Sequence, residues 1–103
     1  MSKLLDIEVS SLAARQIKAA EAWWRRNRTK APNAIREELE RAASLIVAQP
    51  HVGALARNVR LPRVRRLHLA RIRYHLYYRL SEPAGPLEIL ALWHASRGTG
   101  PPI

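Results

Sequence analysis

VRRLHLARIRYHLYYRLSEPAGPLEILALWHASRG, residues Val64 to Gly98, decides how the rest of this 103-residue chain is arranged. It holds three apolar, strand-like runs separated by short interruptions, and it ends in a basic tail. From Arg73 to Leu80 the side chains of Tyr74, Leu76, Tyr78 and Leu80 fall on one face and those of Arg73, His75, Tyr77 and Arg79 on the other, because successive strand residues point to opposite sides. One face is apolar and the other is suited to anions. Leu87 to His94 is apolar at nearly every position, the pattern of a strand covered on both faces. Glu82-Pro83-Ala84-Gly85-Pro86 in front of it is dense in turn formers, so the two runs read as a hairpin. Val64 to Leu69 alternates more weakly, which suits a strand at the sheet edge. The second half is therefore a three-stranded meander.

The first half supplies what covers that meander. Lys3 to Val9 alternates Leu5, Ile7 and Val9 against Leu4, Asp6 and Glu8, a short strand with one acidic face. Ser10 and Ser11 offer N-cap hydroxyls to a helix running to about Arg28, with Ala13, Ile17, Ala20 and Trp24 forming its core stripe. Leu12, Ala19 and Trp23 flank that stripe. Adjacent helical residues diverge by about 100°, so Trp23 and Trp24 cannot both be central to the core. Pro32 suits the first turn of a second helix to about Gln49, with Ile35, Leu39, Ala42 and Ile46 inward. The short link makes the two helices an antiparallel pair. Pro50 stops the second, and His51 to Pro62 reads as a loop with a tight point at Gly53. The expected fold is one α+β domain, residues 1–103, of order β-α-α-β-β-β: a helical hairpin on one face of a small, mostly antiparallel sheet.

Charge is the dominant compositional fact. Eighteen Lys and Arg oppose eight Asp and Glu, a formal +10, with fifteen of the cations arginine. No acid lies between Glu40 and Glu82, a gap that contains nine arginines. Such a field attracts polyanions or acidic proteins, and the guanidinium fork suits phosphate and carboxylate. The chain has no cysteine, which excludes disulfides, thiolate metal sites and a thiol nucleophile. Asp6 and Glu8 interrupt any apolar leader, and no run approaches the ~18 residues of a membrane span, so a soluble cytoplasmic protein is expected. His51, His68, His75 and His94 lack local ligand spacing, and neither a metal nor another cofactor is expected. A phosphate loop, a nucleophile elbow and a helix-turn-helix are all missing from the sequence.

Several of these residues, taken together, carry a resemblance. The order of elements, Pro50 to Gly53 after the second helix, the Arg65-Arg66 pair entering a strand, Tyr78 to Leu80 ending the next, and Leu92 to His94 before Arg97 resemble the RelE/ParE family of bacterial type II toxins over essentially the whole chain. The tail HASRGTGPP is more similar to the ParE branch, whose members are associated with poisoning DNA gyrase. The RelE branch cleaves messenger RNA on the ribosome. The resemblance implies a cognate antitoxin, a small acidic ParD-like protein, forming a hetero-oligomer with the toxin through Leu12, Ala19 and Trp23. Under the gyrase reading Arg65, Arg66, Arg73, Arg79, His94 and Arg97 would meet the target by binding, not turnover. Under the nuclease reading His75, Tyr77 and His94 would share acid/base work, with Arg79 stabilising charge. Charge alone also admits a third reading, a non-toxic basic module that binds nucleic acid.

Overall fold

A computed structural model describes residues 6–81 and 85–103. Its elements are β1 (Ile7–Val9), α1 (Ser11–Asn27), α2 (Ala34–Ala48), β2 (Ala54–Leu55), β3 (Arg65–Leu69), β4 (Tyr74–Leu80) and β5 (Leu87–His94). They form an α+β fold in which the helical hairpin packs on a five-stranded sheet of order β1-β5-β4-β3-β2. β3, β4 and β5 are the expected antiparallel meander, while β1 runs parallel to β5 with Ile7 beside Leu87. The N-terminal part of the expected first strand, Lys3 to Leu5, lies outside the described residues, as do the central turn residues Glu82 to Ala84. The turn is closed by Ser81 N–H donating to the Pro86 carbonyl at 3.0 Å.

Local chemistry explains the helices. Ser10 caps α1 by accepting from the Ala13 N–H at 3.1 Å, and its hydroxyl also donates to the Leu90 carbonyl at 3.2 Å, tying the cap to β5. Ala13 and Ala20 are fully packed, with Ile17 and Trp24 beside them, and Ile35, Ala42 and Ile46 come down from α2. Trp23 stays 42% exposed, so the two tryptophans divide as their angular separation requires. Gln16 reaches from α1 to accept the Leu92 N–H at 2.8 Å, which closes the edge of β5 beyond the end of β1.

Three expectations need correction. β3 is not an edge strand, because Ala54 and Leu55, expected in a loop, pair with Arg66 and Arg65. Arg73 is not in a strand either: it sits in the β3–β4 turn at φ 61°, where the Leu69 carbonyl accepts its N–H at 2.8 Å. Tyr77 does not stand on an open basic face. It is completely buried in a second core with Val64, Leu90 and Ala91, against which Ala56, Val59, Leu61, Trp93 and Ile103 pack. The segment 56–64 and the C-terminal residues thus cover the sheet face opposite the helices.

β5 is covered on both faces, but its alternation is interrupted. Tyr77 lies opposite Ala91 and Tyr78 opposite Ile89, so Leu90 is an extra residue, a β-bulge. The bulge reverses the alternation, so Leu87, Ile89 and Leu92 join the helix-side core while Leu90 and Ala91 join the other. Glu88 therefore shares a face with Ala91 and Trp93, contrary to strict alternation.

Gly53 marks where the α2–β2 connection presses on the sheet. Its N–H donates to the Tyr78 hydroxyl at 2.8 Å, and a Cβ here would meet that oxygen at 2.8 Å and the Arg66 carbonyl at 2.9 Å. Thermal unfolding should show Gly53→Ala destabilised by roughly 1–3 kcal/mol through this overlap. Tyr78→Phe should lose about 1–2 kcal/mol by leaving a buried N–H unpaired. A stable Gly53→Ala protein would mean that the connection moves freely.

Candidate functional site

The sheet divides the expected site residues between two faces and one end. On the face opposite the helices, Arg66, His68 and His75 come from adjacent strands, His68 directly beside His75. The two Nδ1 atoms are 3.3 Å apart, so one imidazole donates to the other. Partial burial lowers the His75 pKa below the ordinary histidine value, helped by the charge of Arg66 and by His68. Tyr77 is of no use to this pair, because its hydroxyl lies in the second core and accepts from Asn58 Nδ2 at 3.1 Å.

Two more expected residues are already engaged. Arg79 binds the Glu88 carboxylate through Nε and Nη2, both at 3.3 Å, and Ser81 donates to the same oxygen at 2.6 Å. Arg65 donates to the Gly53 carbonyl at 2.7 Å, which ties β3 to the α2–β2 connection.

The end of the sheet has a different character. Between the C-terminus of α1, the β3–β4 turn and the end of β5 lies a cleft of about 710 Å³. Trp23, Trp24, Tyr74 and His94 give it aromatic walls, and Arg28, Arg71, Arg73 and Arg97 give it charge. The Tyr74 and His94 rings meet edge to face at 5.0 Å. His94 Nδ1 accepts from the Ser96 N–H at 3.1 Å and the Ser96 hydroxyl at 2.7 Å, so the neutral ring carries its proton on Nε2. The Arg97 guanidinium stacks 4.1 Å from the Trp93 ring centre, and that of Arg28 lies 5.2 Å from Trp23. Burial raises the Tyr74 pKa, and the nearby charge of Arg97 opposes the rise.

Of the expected set, then, Arg73, His94, Arg97 and Trp23 meet at the cleft, whereas Arg66 and His75 lie on the far face. The four residues expected for nuclease work do not converge. Sequence reasoning missed the roles of Arg28, Tyr74, Ser96 and Arg71. It also passed over Glu38, which is buried with an exposure of 7% and pairs with Arg71 and Arg41, both at 3.2 Å. A carboxylate spaced like Ile35 and Ala42 on a core stripe was the available signal, since a buried charge requires a partner. Arg71 also donates to Glu37 at 2.9 Å, and this ladder pins the β3–β4 turn to α2.

The family model described as the ParE toxin of the type II toxin–antitoxin system parDE matches residues 7–98. The chain belongs to the ParE toxin family. It is therefore the toxin component of a type II system, and family membership implies an antitoxin partner. ParE identity fits the fold: a solved chain of the chromosomal ParDE toxin–antitoxin system from P. aeruginosa superposes with a TM-score of 0.70 at 20% identity, covering 92% of this chain and 100% of that one. No curated protein matches the sequence. Among the described residues of this ParE chain, no helix is long and apolar enough to cross a membrane.

The imidazole pair has a pH consequence. A histidine whose folded pKa is depressed binds fewer protons than in the unfolded chain, so its contribution to stability is complete above the ordinary imidazole range. That contribution is lost as pH falls from about 6.5 through the lowered folded value. NMR titration should place the His75 midpoint below the ordinary value, and His68→Ala should move it back upward. A His75 midpoint above the ordinary value would contradict this geometry.

Proposed function

We propose that this ParE chain is a cytoplasmic toxin that arrests growth by binding and disabling DNA gyrase, and that a small acidic ParD-like antitoxin holds it inactive in a hetero-oligomer. The observation that carries this reading is the failure of His75, Tyr77 and His94 to converge: the Tyr77 hydroxyl is buried, and His75 and His94 occupy opposite faces of the sheet. Arginines stabilise negative charge but neither remove nor donate a proton at neutral pH. The mechanism is therefore occupancy of a target surface. Arg73, His94 and Arg97 would dock at the sheet end and Arg66 on the far face. Arg65 would support docking by holding the α2–β2 connection, and Arg79 by bridging β4 to β5 through Glu88.

The ribosome-dependent messenger RNA endoribonuclease remains the second reading because of one feature, the paired imidazoles of His68 and His75 beside Arg66. The toxin expressed without antitoxin discriminates the two. Gyrase supercoiling should fall, or DNA breaks accumulate, with transcripts intact; site-specific mRNA cleavage with normal supercoiling would overturn the gyrase reading.

Antitoxin binding rests on the outer stripe of α1. Leu12, Ala19 and Trp23 recur at helical spacing, and Trp23 is the large exposed residue among them. An amphipathic helix of an acidic partner laid on this stripe would bury Trp23 as an anchor. Calorimetry should show Trp23→Ala weakening antitoxin binding by about 2 kcal/mol or more. Trp24→Ala, which removes a ring packed against the core, should instead lower the melting temperature. Equal effects of the two changes on affinity would contradict the assignment of faces.

A further inference from the structure

We propose that the cleft at the sheet end binds single-stranded nucleic acid, with Arg73, Arg97 and Arg28 on its phosphodiesters and the aromatic walls against its bases. This ligand is additional to the protein target proposed above, which would dock through the same Arg73, His94 and Arg97. The cleft is separate from the His68–His75 face.

The charge balance inside the cleft comes first. Four arginines from three parts of the fold line it, together with no carboxylate. Arg71 is neutralised by Glu37 and Glu38. Among the described residues, no carboxylate lies within ion-pair distance of Arg28, Arg73 or Arg97. Like charges gathered without counterions favour an anionic ligand, and planar forks engage phosphate oxygens in pairs.

The walls select among anions. Trp23 and the Tyr74–His94 pair present ring surface, and stacking on such rings tolerates any base. Trp24 supplies a further lead, since its indole Nε1 is buried without a hydrogen-bond partner among the described residues. An extended acidic peptide is the rival occupant, and such a segment gains affinity by adding a strand to an open sheet edge. Near the cleft that edge is partly taken, because Gln16 accepts the Leu92 N–H of β5. Recognition there falls mainly to side chains, which suits phosphates and rings. Finally, Arg73 reaches the cleft from a backbone at φ 61°, an uncommon conformation for arginine that the surrounding turn must hold.

The test uses the full chain and a ten-residue oligothymidylate, read by the fluorescence of the cleft tryptophans. Binding should quench emission and weaken with salt. Arg97→Gln and Arg73→Asn, the latter tolerant of positive φ, should each reduce affinity about tenfold and lower the salt slope by about one. Arg36→Gln, exposed on α2, serves as the control for overall charge and should reduce affinity less than threefold. Melting curves confirm that each variant is folded, and if Arg73→Asn unfolds, Arg97→Gln alone decides. No saturable binding, or an equal loss in Arg36→Gln and Arg97→Gln, would overturn the proposal. So would displacement of the oligonucleotide by a polyglutamate peptide at equal charge concentration, which would assign the cleft to an acidic protein segment.

Discussion

Two consecutive residues of β4, Tyr77 and Tyr78, are both fully buried, and they point to opposite faces of the sheet. The remaining structure follows from that constraint. A strand sealed on both sides needs two covers, and a phenol buried on either side needs a polar partner. Tyr78 meets the helical hairpin and accepts the Gly53 N–H. Tyr77 meets the 56–64 segment and accepts from Asn58. The C-terminal residues complete the second cover: Arg60 N–H donates to the Ile103 carbonyl at 2.8 Å, and Trp93 Nε1 donates to Thr99 O at 2.6 Å.

This double burial determines where function can reside. With the middle of the second face occupied, cations are displaced to its margins and to the sheet end. Arg66, His68 and His75 hold one margin, and Arg79 is spent on Glu88. A hollow of about 710 Å³ lies where β4 begins and β5 ends, and the Glu38–Arg71 ladder fixes the turn that delivers Arg73 to it. Under the proposed function, this ParE toxin works by recognition, through surfaces arranged around the sheet.

Helix positions, their core stripes and the β3–β4–β5 meander were legible in the sequence because each is encoded locally, by 3.6-residue or two-residue periodicity and by Ser10, Pro32 and Pro50. The division between Trp23 and Trp24 was legible for the same reason. What escaped depends on contacts distant in sequence. Strand alternation assigns Tyr77 to an open face unless the covering segment is known, and nothing local in Leu90 announces a bulge. Ala54 and Leu55 become a strand only by pairing with β3. The sheet-end cleft was half legible: Arg73, His94, Arg97 and Trp23 stood out by type, but their meeting is a product of topology.

The central claim is that this toxin acts by occupying a target and not by imidazole chemistry. Growth arrest by the His68→Ala/His75→Ala double variant, expressed without antitoxin, tests it most directly, since that change removes the one pair of adjacent imidazoles among the described residues. The account predicts that arrest persists at a similar expression level. Loss of arrest in a double variant that remains folded and still binds antitoxin would contradict it, and would place a catalytic histidine on the far face of the sheet.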